Sequence, residues 1–424
     1  MSLQFITGNS GNGKTKYLFN RIVKEAKANP RDNYLVIVPE QFTMQTQRQL
    51  VDLSENKAIM NIDVLSFKRL AYRVFDELGI TNLTVLEETG KNLVLRKLAA
   101  QEADKLGVIG RNLNRIGYIS EVKSLLSELV QYNISPEELG RYIASGRLSD
   151  TLSDKLKDVL VLYEAFEKFM QDKYITAEEI LNVLSNVAEE SAILRNSVIA
   201  FDEFTGFTPI QNQLIKKLFV ISKKIYVTLT IDCREDIFKS RGMQELFDMP
   251  KRTVKSLTEM AAFYGIEVEE PIILDKNYRL AENEELSFME QQLFRKRRCS
   301  FKKVPKHIHI DCLRDPKQEL TKIARRINEL VRNENLRYRD IAIVTGDVNI
   351  YAGYVREIFD KYNIPYFIDA TQEILFHPFI EFIRSIPDIA AQNFSADAVF
   401  RFLRCGFSEL LDSEIDVLEN YVLA

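Results

Sequence analysis

The chain has 424 residues, a formal net charge of −4 and a hydrophobic content of 46%, which predicts two to four globular domains with substantial cores. It contains no apolar run of about twenty residues, which excludes a transmembrane helix, and a core strand at the start leaves no room for a signal peptide, so we expect a cytoplasmic protein. Four scattered cysteines exclude a disulfide framework and a cysteine-ligated metal site, whereas the small net charge neither indicates nor excludes a nucleic-acid partner.

The first predicted element is a short apolar strand that leads into a phosphate-binding P-loop sequence. This loop comprises Gly8, Asn9, Ser10, Gly11, Asn12, Gly13, Lys14 and Thr15. Its glycines let successive backbone N–H groups converge on phosphate oxygens, while Lys14 neutralises the outer phosphates and Thr15 coordinates Mg²⁺. Apolar side chains at Leu18, Ile22 and Ala26 predict the helix that must follow. The strand–loop–helix order predicts a site for ATP and Mg²⁺, and the alternative is a chance glycine-rich turn.

Further apolar runs predict buried strands of the same α/β lobe at residues 34–38, 197–201 and 225–229. Between the first two, from about residue 86 to residue 192, apolar residues recur every three or four positions. This spacing is typical of amphipathic helices that pack on one another. The sequence therefore predicts a parallel sheet that a large helical insertion interrupts.

A run of basic residues separates this part of the chain from a second alternating block. The run comprises Arg295, Lys296, Arg297, Arg298, Lys302, Lys303 and Lys306. A solvated connector and a contact to DNA phosphates remain equal alternatives for it. The predicted strands beyond it are residues 307–312, 340–344 and 365–368, and the predicted helices are 319–331 and 351–360. We expect a second, smaller α/β lobe there, followed by helices from Pro378 onward.

Two carboxylates, Asp202 and Glu203, follow the apolar strand that ends at Phe201. Hydrolysis at a P-loop needs an acid near Mg²⁺ and often a second acid that orients the attacking water. We therefore interpret Asp202 and Glu203 as a Walker B-like pair, with Asp202 beside the metal. The alternative is a pair of solvated acids at the end of a strand.

Several stretches, in this order, resemble the AddB family of bacterial helicase–nuclease subunits, which is related to superfamily 1 helicases. They are residues 8–15, 38–43, 64–73, 201–209, 277–279 and 364–369. The resemblance implies RecA-like lobes and divides the chain into four regions. These are a first lobe (1–80 and 193–275), a helical insertion similar to domain 1B (81–192), a second and incomplete lobe (276–375), and the start of a 2B-like helical insertion (376–424).

The resemblance also implies a role for the chain. Proteins of this family pair with an AddA-like helicase–nuclease subunit as a heterodimer and process broken DNA ends for repair by homologous recombination. Their nuclease domain, with its iron–sulfur cluster and metal site, lies beyond these 424 residues, so the chain is similar to an N-terminal fragment. The resemblance further implies that the helicase-like lobes scan single-stranded DNA for the Chi sequence without acting as a motor.

The loops after the first-lobe strands supply the expected DNA contacts, because open α/β sheets bind ligands at the carboxyl ends of their strands. The candidates are Gln41, Thr43, Ser66, Phe67, Arg69, Tyr72, Phe204 and Phe207. Short polar side chains suit phosphate oxygens, and aromatic rings suit stacked bases. The aromatic residues are equally compatible with positions in the core.

Arg279, in the sequence Asn-Tyr-Arg, matches a superfamily 1 motif that contacts the nucleotide, and a structural ion pair is the alternative. The segment that ends at Asp232 lacks the coupling motif of active motors. Glu203, in contrast, is retained where related proteins often have glycine. A DNA-dependent ATPase or translocase therefore stays open as the second hypothesis. The two alternating lobes argue against a third, a small-molecule P-loop kinase.

Overall fold

A computed structural model describes residues 1–81, 84–107, 116–145, 148–170, 174–295, 299–369, 374 and 377–423. The chain forms two compact units, which are Met1–Ile308 and His309–Ala424. Within the described ranges, no helix combines the length and the apolar character that crossing a membrane would require.

The first unit is built on a parallel β-sheet. Its strands are β1 (Ser2–Gly8), β2 (Tyr34–Ile37), β3 (Ile62–Leu65), β4 (Val85–Leu86), β5 (Ile175–Thr176), β6 (Val198–Phe201), β7 (Lys224–Thr230), β8 (Glu267–Val268) and β9 (Ile272–Leu274). Seven of these form one sheet in the order β3-β2-β6-β7-β1-β8, with β9 also paired to β1, whereas β4 and β5 pair with each other. All of these pairings are parallel. The predicted α/β class and the three further strands predicted for this lobe are confirmed.

Helices of the first unit cover the sheet and form the insertion. They are α1 (Lys14–Ala28), α2 (Thr43–Leu53), α3 (Phe67–Leu78), α4 (Glu88–Gln101), α5 (Ile116–Gln131), α6 (Pro136–Ala144), α7 (Asp150–Met170), α8 (Ile180–Val187), α9 (Pro209–Ile221), α10 (Asp248–Phe263) and α11 (Glu284–Gln292). Helix α1 buries Leu18, Ile22 and Ala26, as its sequence predicts.

Two apolar cores lie on opposite faces of the sheet, because successive residues of a strand point to alternate sides. In β1, for example, Phe5 belongs to the core under α3, α8, α9 and α10, and Ile6 belongs to the core under α1 and α2. Both side chains are fully buried. Because helices cover both faces of the sheet, a strand such as β2 carries apolar side chains on both sides, and its sequence is an almost continuous apolar run.

The insertion has a core of its own, formed by α4, α5, α6 and α7. Helix α8 differs, because Ile180 and Leu184 are buried in the core of the sheet domain. The predicted boundary at residue 192 therefore needs correction. Helical periodicity shows that a segment is amphipathic but does not identify the core against which it packs.

The second unit contains α12 (Pro316–Asn333), α13 (Val348–Lys361), α14 (Pro378–Ala391), α15 (Ala396–Leu403) and α16 (Asp412–Leu423). Helices α12 and α13 share a small core that includes Leu320 and Phe359. The two predicted helices of this region are confirmed, and so is the helical character from Pro378 onward.

The three strands predicted for the second lobe are wrong for the described residues. Segments 307–312, 340–344 and 365–368 contain no strand, and residues 338–340 form a 3₁₀ turn. A strand requires a neighbour that satisfies its backbone N–H and C=O groups. These segments have no such neighbour among the described residues, and their side chains are also uncovered: Ile310, Val344 and Phe367 are 93%, 93% and 89% exposed.

The predicted start of the second lobe at residue 276 also needs correction, since residues up to Ile308 belong to the first unit. The physical reason is a set of contacts that hold this segment to the P-loop and to the sheet. Strand β9 pairs with β1, and Asn277 donates a hydrogen bond to the carbonyl oxygen of Ser10 at 3.0 Å.

Candidate nucleotide-binding cleft

Residues 8–15, the predicted P-loop, lie at the carboxyl end of β1, which is flanked by β7 on one side and by β8 and β9 on the other. Glycine is needed in this loop for two reasons: a neighbouring side chain leaves no space for a Cβ atom, and the backbone is left-handed. A Cβ atom on Gly11 would lie 2.7 Å from Asn277 Oδ1, and Gly13 has a φ of +78°. Larger residues would therefore push the loop away from its neighbours or strain its backbone.

The loop borders a cleft of about 840 Å³. Its walls include Lys14, Thr15, Asp202, Glu203 and Arg279, together with one side of α2. The structure thus brings together the P-loop, the carboxylate pair and the arginine that the sequence assigned to one site. The volume lies in the range of small-molecule and cofactor pockets.

Lys14 is held by its own loop. Its Nζ atom donates hydrogen bonds to the carbonyl oxygens of Gly8 and Asn9, both at 3.1 Å. Burial lowers the pKa of Lys14, and the nearby charges of Glu203 and Asp202 oppose this effect. The ammonium group is therefore positioned at the mouth of the loop, beside two carboxylates.

Asp202 follows β6 and is 1% exposed. Its Oδ1 atom accepts a hydrogen bond from the Thr228 hydroxyl, but its buried Oδ2 atom accepts none from the residues that the structure describes. Burial raises the pKa of Asp202, and the charge of Glu203 adds to this, whereas the hydrogen bond from the Thr228 hydroxyl acts in the opposite direction. A buried acceptor that lacks a donor destabilises the folded state unless a cation or another ligand pairs with it.

Glu203 faces the P-loop from the next position. Thr15 Oγ1 donates a hydrogen bond to Glu203 Oε1 at 3.3 Å, and the backbone φ of Glu203 is +63°. This left-handed conformation is uncommon for residues other than glycine.

Oxygen atoms of Thr15, Asp202 and Glu203 converge at this edge of the cleft, and such oxygens are the ligands that Mg²⁺ prefers. No group of three or more His, Cys, Asp or Glu side chains that could hold a metal ion occurs in the described part of the chain. The donor set therefore fits a Mg²⁺ ion that shares its coordination with phosphates and water, rather than one enclosed by protein ligands alone.

A strap of residues 274–279 crosses the outer side of the P-loop. The backbone N–H of Tyr278 donates to the Gly11 carbonyl oxygen at 3.0 Å, and Arg279 Nη1 lies 3.4 Å from Ser10 Oγ. The Tyr278 ring borders the cleft and is 65% exposed. Sequence reasoning identified Arg279 but missed Asn277 and Tyr278, although they belong to the same three-residue motif.

The predicted DNA contacts lie after three neighbouring strands, β2, β3 and β6, so they share one edge of the sheet. Gln41, Arg69 and Tyr72 are exposed there. Thr43 and Ser66 are buried, and their hydroxyls bond to nearby backbone: Thr43 Oγ1 donates to the Glu40 carbonyl oxygen at 3.0 Å, and Ser66 Oγ accepts the Arg69 N–H at 3.3 Å.

Phe67 lies in an aromatic cluster. Its ring centroid is 5.8 Å from that of Phe201, 5.5 Å from that of Phe204 and 6.3 Å from that of Phe207. Phe67 is 7% exposed, so its ring packs in the core, which is the alternative that the sequence left open. Phe204 and Phe207 are partly buried against the same core.

Two described residues of the basic run make ion pairs with acidic residues elsewhere in the first unit. Arg295 pairs with Asp232 and with Glu235, and its guanidinium lies 5.2 Å from the centre of the Phe247 ring. Lys303 pairs with Glu284. Residues 296–298 of the predicted run lie outside the described residues. Arg295, the first residue of the run, therefore has a structural role.

The fold and the cleft define a parallel α/β protein with a P-loop sequence at the carboxyl end of its first strand. The sequence matches the family described as "ADDB, N-terminal" over residues 5–290. The chain belongs to this family, so the resemblance found in the sequence is confirmed.

Similar proteins are named as the B subunit of an ATP-dependent helicase/deoxyribonuclease. The one from Lachnoclostridium phytofermentans is 39% identical to this chain, and those from Clostridium tetani and Clostridium acetobutylicum are each 34% identical. Each alignment covers 100% of this chain but 36% to 37% of the relative. The chain thus spans little more than a third of the length of these proteins.

Proposed function

We propose that this chain is the helicase-like part of the B subunit of a bacterial helicase–nuclease, and that it binds ATP and single-stranded DNA. One observation carries the nucleotide assignment. The buried Oδ2 atom of Asp202 lacks a hydrogen-bond donor among the described residues, and Asp202 is one of the residues that line the cleft of the P-loop. This carboxylate would therefore hold the Mg²⁺ ion that accompanies ATP.

The residues of the cleft have separate roles in this proposal. Backbone N–H groups of the P-loop and the Lys14 ammonium hold the phosphates, and the Thr15 hydroxyl and Asp202 carboxylate hold Mg²⁺. Arg279, which lies beside Ser10, adds positive charge near the phosphates. When bound, Mg²⁺ neutralises phosphate charge and polarises the phosphoryl oxygens. Glu203 would orient a water molecule if hydrolysis takes place.

We infer that the chain is not itself a motor. The segment that ends at Asp232 lacks the coupling motif of active superfamily 1 motors. Here Asp232, just after β7, is 1% exposed and pairs with Arg295. It also accepts three hydrogen bonds from Arg234, from the backbone N–H and Nε at 2.9 Å each and from Nη2 at 2.6 Å. This carboxylate is committed to a structural network, which supports a role in binding rather than in coupling.

Single-stranded DNA would lie along the edge formed by the loops after β2, β3 and β6. The exposed Gln41, Arg69 and Tyr72 supply an amide, a cation and an aromatic ring there, which suit phosphates and stacked bases. Reading the Chi sequence is the proposed task of this surface.

The wider role of the protein is part of the same proposal. Relatives named as B subunits of a helicase/deoxyribonuclease support a heterodimer with an AddA-like subunit, which processes broken DNA ends for homologous recombination. The nuclease site and its iron–sulfur cluster are assigned to the part of the relatives that this chain does not cover. A cytoplasmic location follows from this DNA-processing role.

An active DNA-dependent ATPase is the second candidate, and a specific observation favours it. Glu203 keeps a carboxylate within hydrogen-bond distance of Thr15, at the cost of a left-handed backbone. Such strain often persists where a side chain has a function.

Steady-state ATP hydrolysis with and without single-stranded DNA distinguishes the two candidates. We expect bound ATP with little or no turnover, and no change when DNA is added. Strong stimulation by DNA that disappears in Glu203→Gln would establish a working ATPase and overturn the non-motor proposal, while leaving the nucleotide site intact.

A further inference from the structure

Helix α11 contacts two separate parts of the first unit through two glutamates. Near its carboxyl end, Glu290 Oε1 accepts a hydrogen bond from Asn9 Nδ2 of the P-loop at 2.6 Å. Near its amino end, Glu285 accepts hydrogen bonds from the backbone N–H groups of Lys306 and His307 at 2.7 and 2.8 Å. Five residues of helix, about 7.5 Å along the axis, separate the two glutamates.

The P-loop side of this arrangement is tightly held. Asn9 is 7% exposed, and its Nδ2 atom bonds to α11. The neighbouring Asn12 Nδ2 donates to the Leu274 carbonyl oxygen at 2.6 Å, and Ser10 contacts the strap of residues 274–279. The side chains of Asn9, Ser10 and Asn12, which lie between the glycines of the loop, thus contact residues 274–290. A rearrangement of the loop around phosphates would act directly on this segment.

The other side is also well defined. Glu285 is 9% exposed, and hydrogen bonds from the N–H groups of His307 and Lys306 lower its pKa, which keeps it ionised as an acceptor. His307 Nδ1 lies 3.4 Å from the same carboxylate. Lys306 and His307 lie three and two residues before His309, where the second unit begins.

We propose that Glu290 is a positioning residue for nucleotide binding, and that α11 transmits the occupancy of the P-loop to the backbone of residues 306 and 307. The inference rests on the proposed binding of ATP to the P-loop. Glu290 acts through Asn9 and does not itself touch the nucleotide. The two hydrogen-bonded ends of one short helix provide the mechanical connection.

Two quantities test the proposal on the full 424-residue chain: the affinity for Mg·ATP and the amide hydrogen exchange of Lys306 and His307. In the wild type, we expect Mg·ATP to slow exchange at these two amides at least about threefold. Glu290→Ala should weaken Mg·ATP binding about fivefold and abolish this slowing, because the bond to Asn9 is lost. Glu290→Gln should restore both, since an amide oxygen still accepts from Asn9 Nδ2.

Gln291→Ala, on the exposed side of the same helix, is the matched control and should behave as the wild type. Asn9→Ala removes the same hydrogen bond from the other partner and tests the connection should Glu290→Ala fold poorly. If the wild type binds Mg·ATP and exchange at residues 306 and 307 does not change, the connection is refuted and the nucleotide site stands. Slowing that persists in both alanine variants refutes it equally. Failure of the wild type to bind Mg·ATP would overturn the proposed function and this inference together.

Discussion

The hydroxyl of Thr15 and the carboxylate of Glu203 lie 3.3 Å apart although 188 positions separate them in the sequence. This contact joins the P-loop to the turn after β6, where Glu203 has a φ of +63°. The carboxylate is therefore presented to the cleft by a backbone conformation that disfavours any side chain with a Cβ atom. We therefore expect Glu203 to serve the cleft through its carboxylate while its backbone conformation lowers the stability of the fold.

Substitution of Glu203 separates the two effects. Glu203→Gly and Glu203→Ala both remove the carboxylate, but only glycine removes the strain of the left-handed backbone. We expect the glycine variant to be more stable than the alanine variant by about 1 kcal/mol in urea unfolding. Equal stabilities would show that the turn relaxes to accommodate alanine, which contradicts the strain assigned to Glu203.

Asp202 should lower the stability of the free protein at neutral pH. Burial raises its pKa above the ordinary value of 3.8, so the folded state holds its proton at a pH where the unfolded chain has released it. Ionised Asp202 thus disfavours folding, and this effect disappears as the pH falls and the carboxyl is protonated. Without ligand, Asp202→Asn should be more stable than the wild type at pH 7 but not near pH 3, as measured by urea unfolding. Its affinity for Mg·ATP should fall.

Asp232 is the matched control, because its shift has the opposite sign. Burial acts to raise its pKa, but hydrogen bonds from Arg234 and the charges of Arg234 and Arg295 outweigh burial and lower the pKa to about 2. The ionised form stabilises the fold above pH 4, and this contribution is lost as the pH falls toward 2. Asp232→Asn should therefore destabilise the protein at pH 7 by about 2 kcal/mol. A gain in stability in both asparagine variants would contradict this account.

Arg295 should act in folding rather than in DNA binding. Arg295→Ala removes its ion pairs with Asp232 and Glu235 and its contact with the Phe247 ring. We expect a loss of about 2 kcal/mol in unfolding free energy with unchanged affinity for single-stranded DNA. The exposed Lys302 is the control for this run, and Lys302→Ala should leave stability within about 0.5 kcal/mol. Weaker DNA binding by Arg295→Ala at unchanged stability would assign the residue to DNA instead.

Phe67 and Tyr72 should respond differently to truncation, although both lie on α3 and were predicted together. Phe67→Ala leaves a cavity within the cluster of Phe201, Phe204 and Phe207, and should cost about 3 kcal/mol of stability. Tyr72 is 39% exposed, so Tyr72→Ala should cost less than about 1 kcal/mol. If the surface binds DNA, Tyr72→Ala should weaken single-strand binding while the fold remains intact. Unchanged affinity for a short oligonucleotide would remove Tyr72 from the site.

The sheet domain could be predicted from sequence because its signals are local. A strand buried on both faces reads as an apolar run, as in β2 and β6, and the P-loop has a fixed pattern of glycines. Their placement side by side follows from the rules for parallel sheets. The approach of Asp202 to Thr15 was predictable for the same reason.

The remaining features depend on partners that are distant in sequence. Nothing near Asn9 indicates that it bonds to Glu290, and nothing near Arg295 indicates that it pairs with the buried Asp232. The apolar run at residues 341–344 resembles a strand in the sequence, but it indicates only that the side chains are apolar. Whether such a segment joins a sheet depends on a neighbour to pair with.

Direct titration of the chain with Mg·ATP tests the central claim, using isothermal calorimetry on the wild type and on Lys14→Ala. The control is Lys24→Ala, which removes an exposed cation from the same helix α1 at a distance from the loop. We predict one binding site in the wild type and in Lys24→Ala, and at least tenfold weaker binding in Lys14→Ala. Equal affinity in all three proteins would contradict the assignment of the P-loop as the nucleotide site.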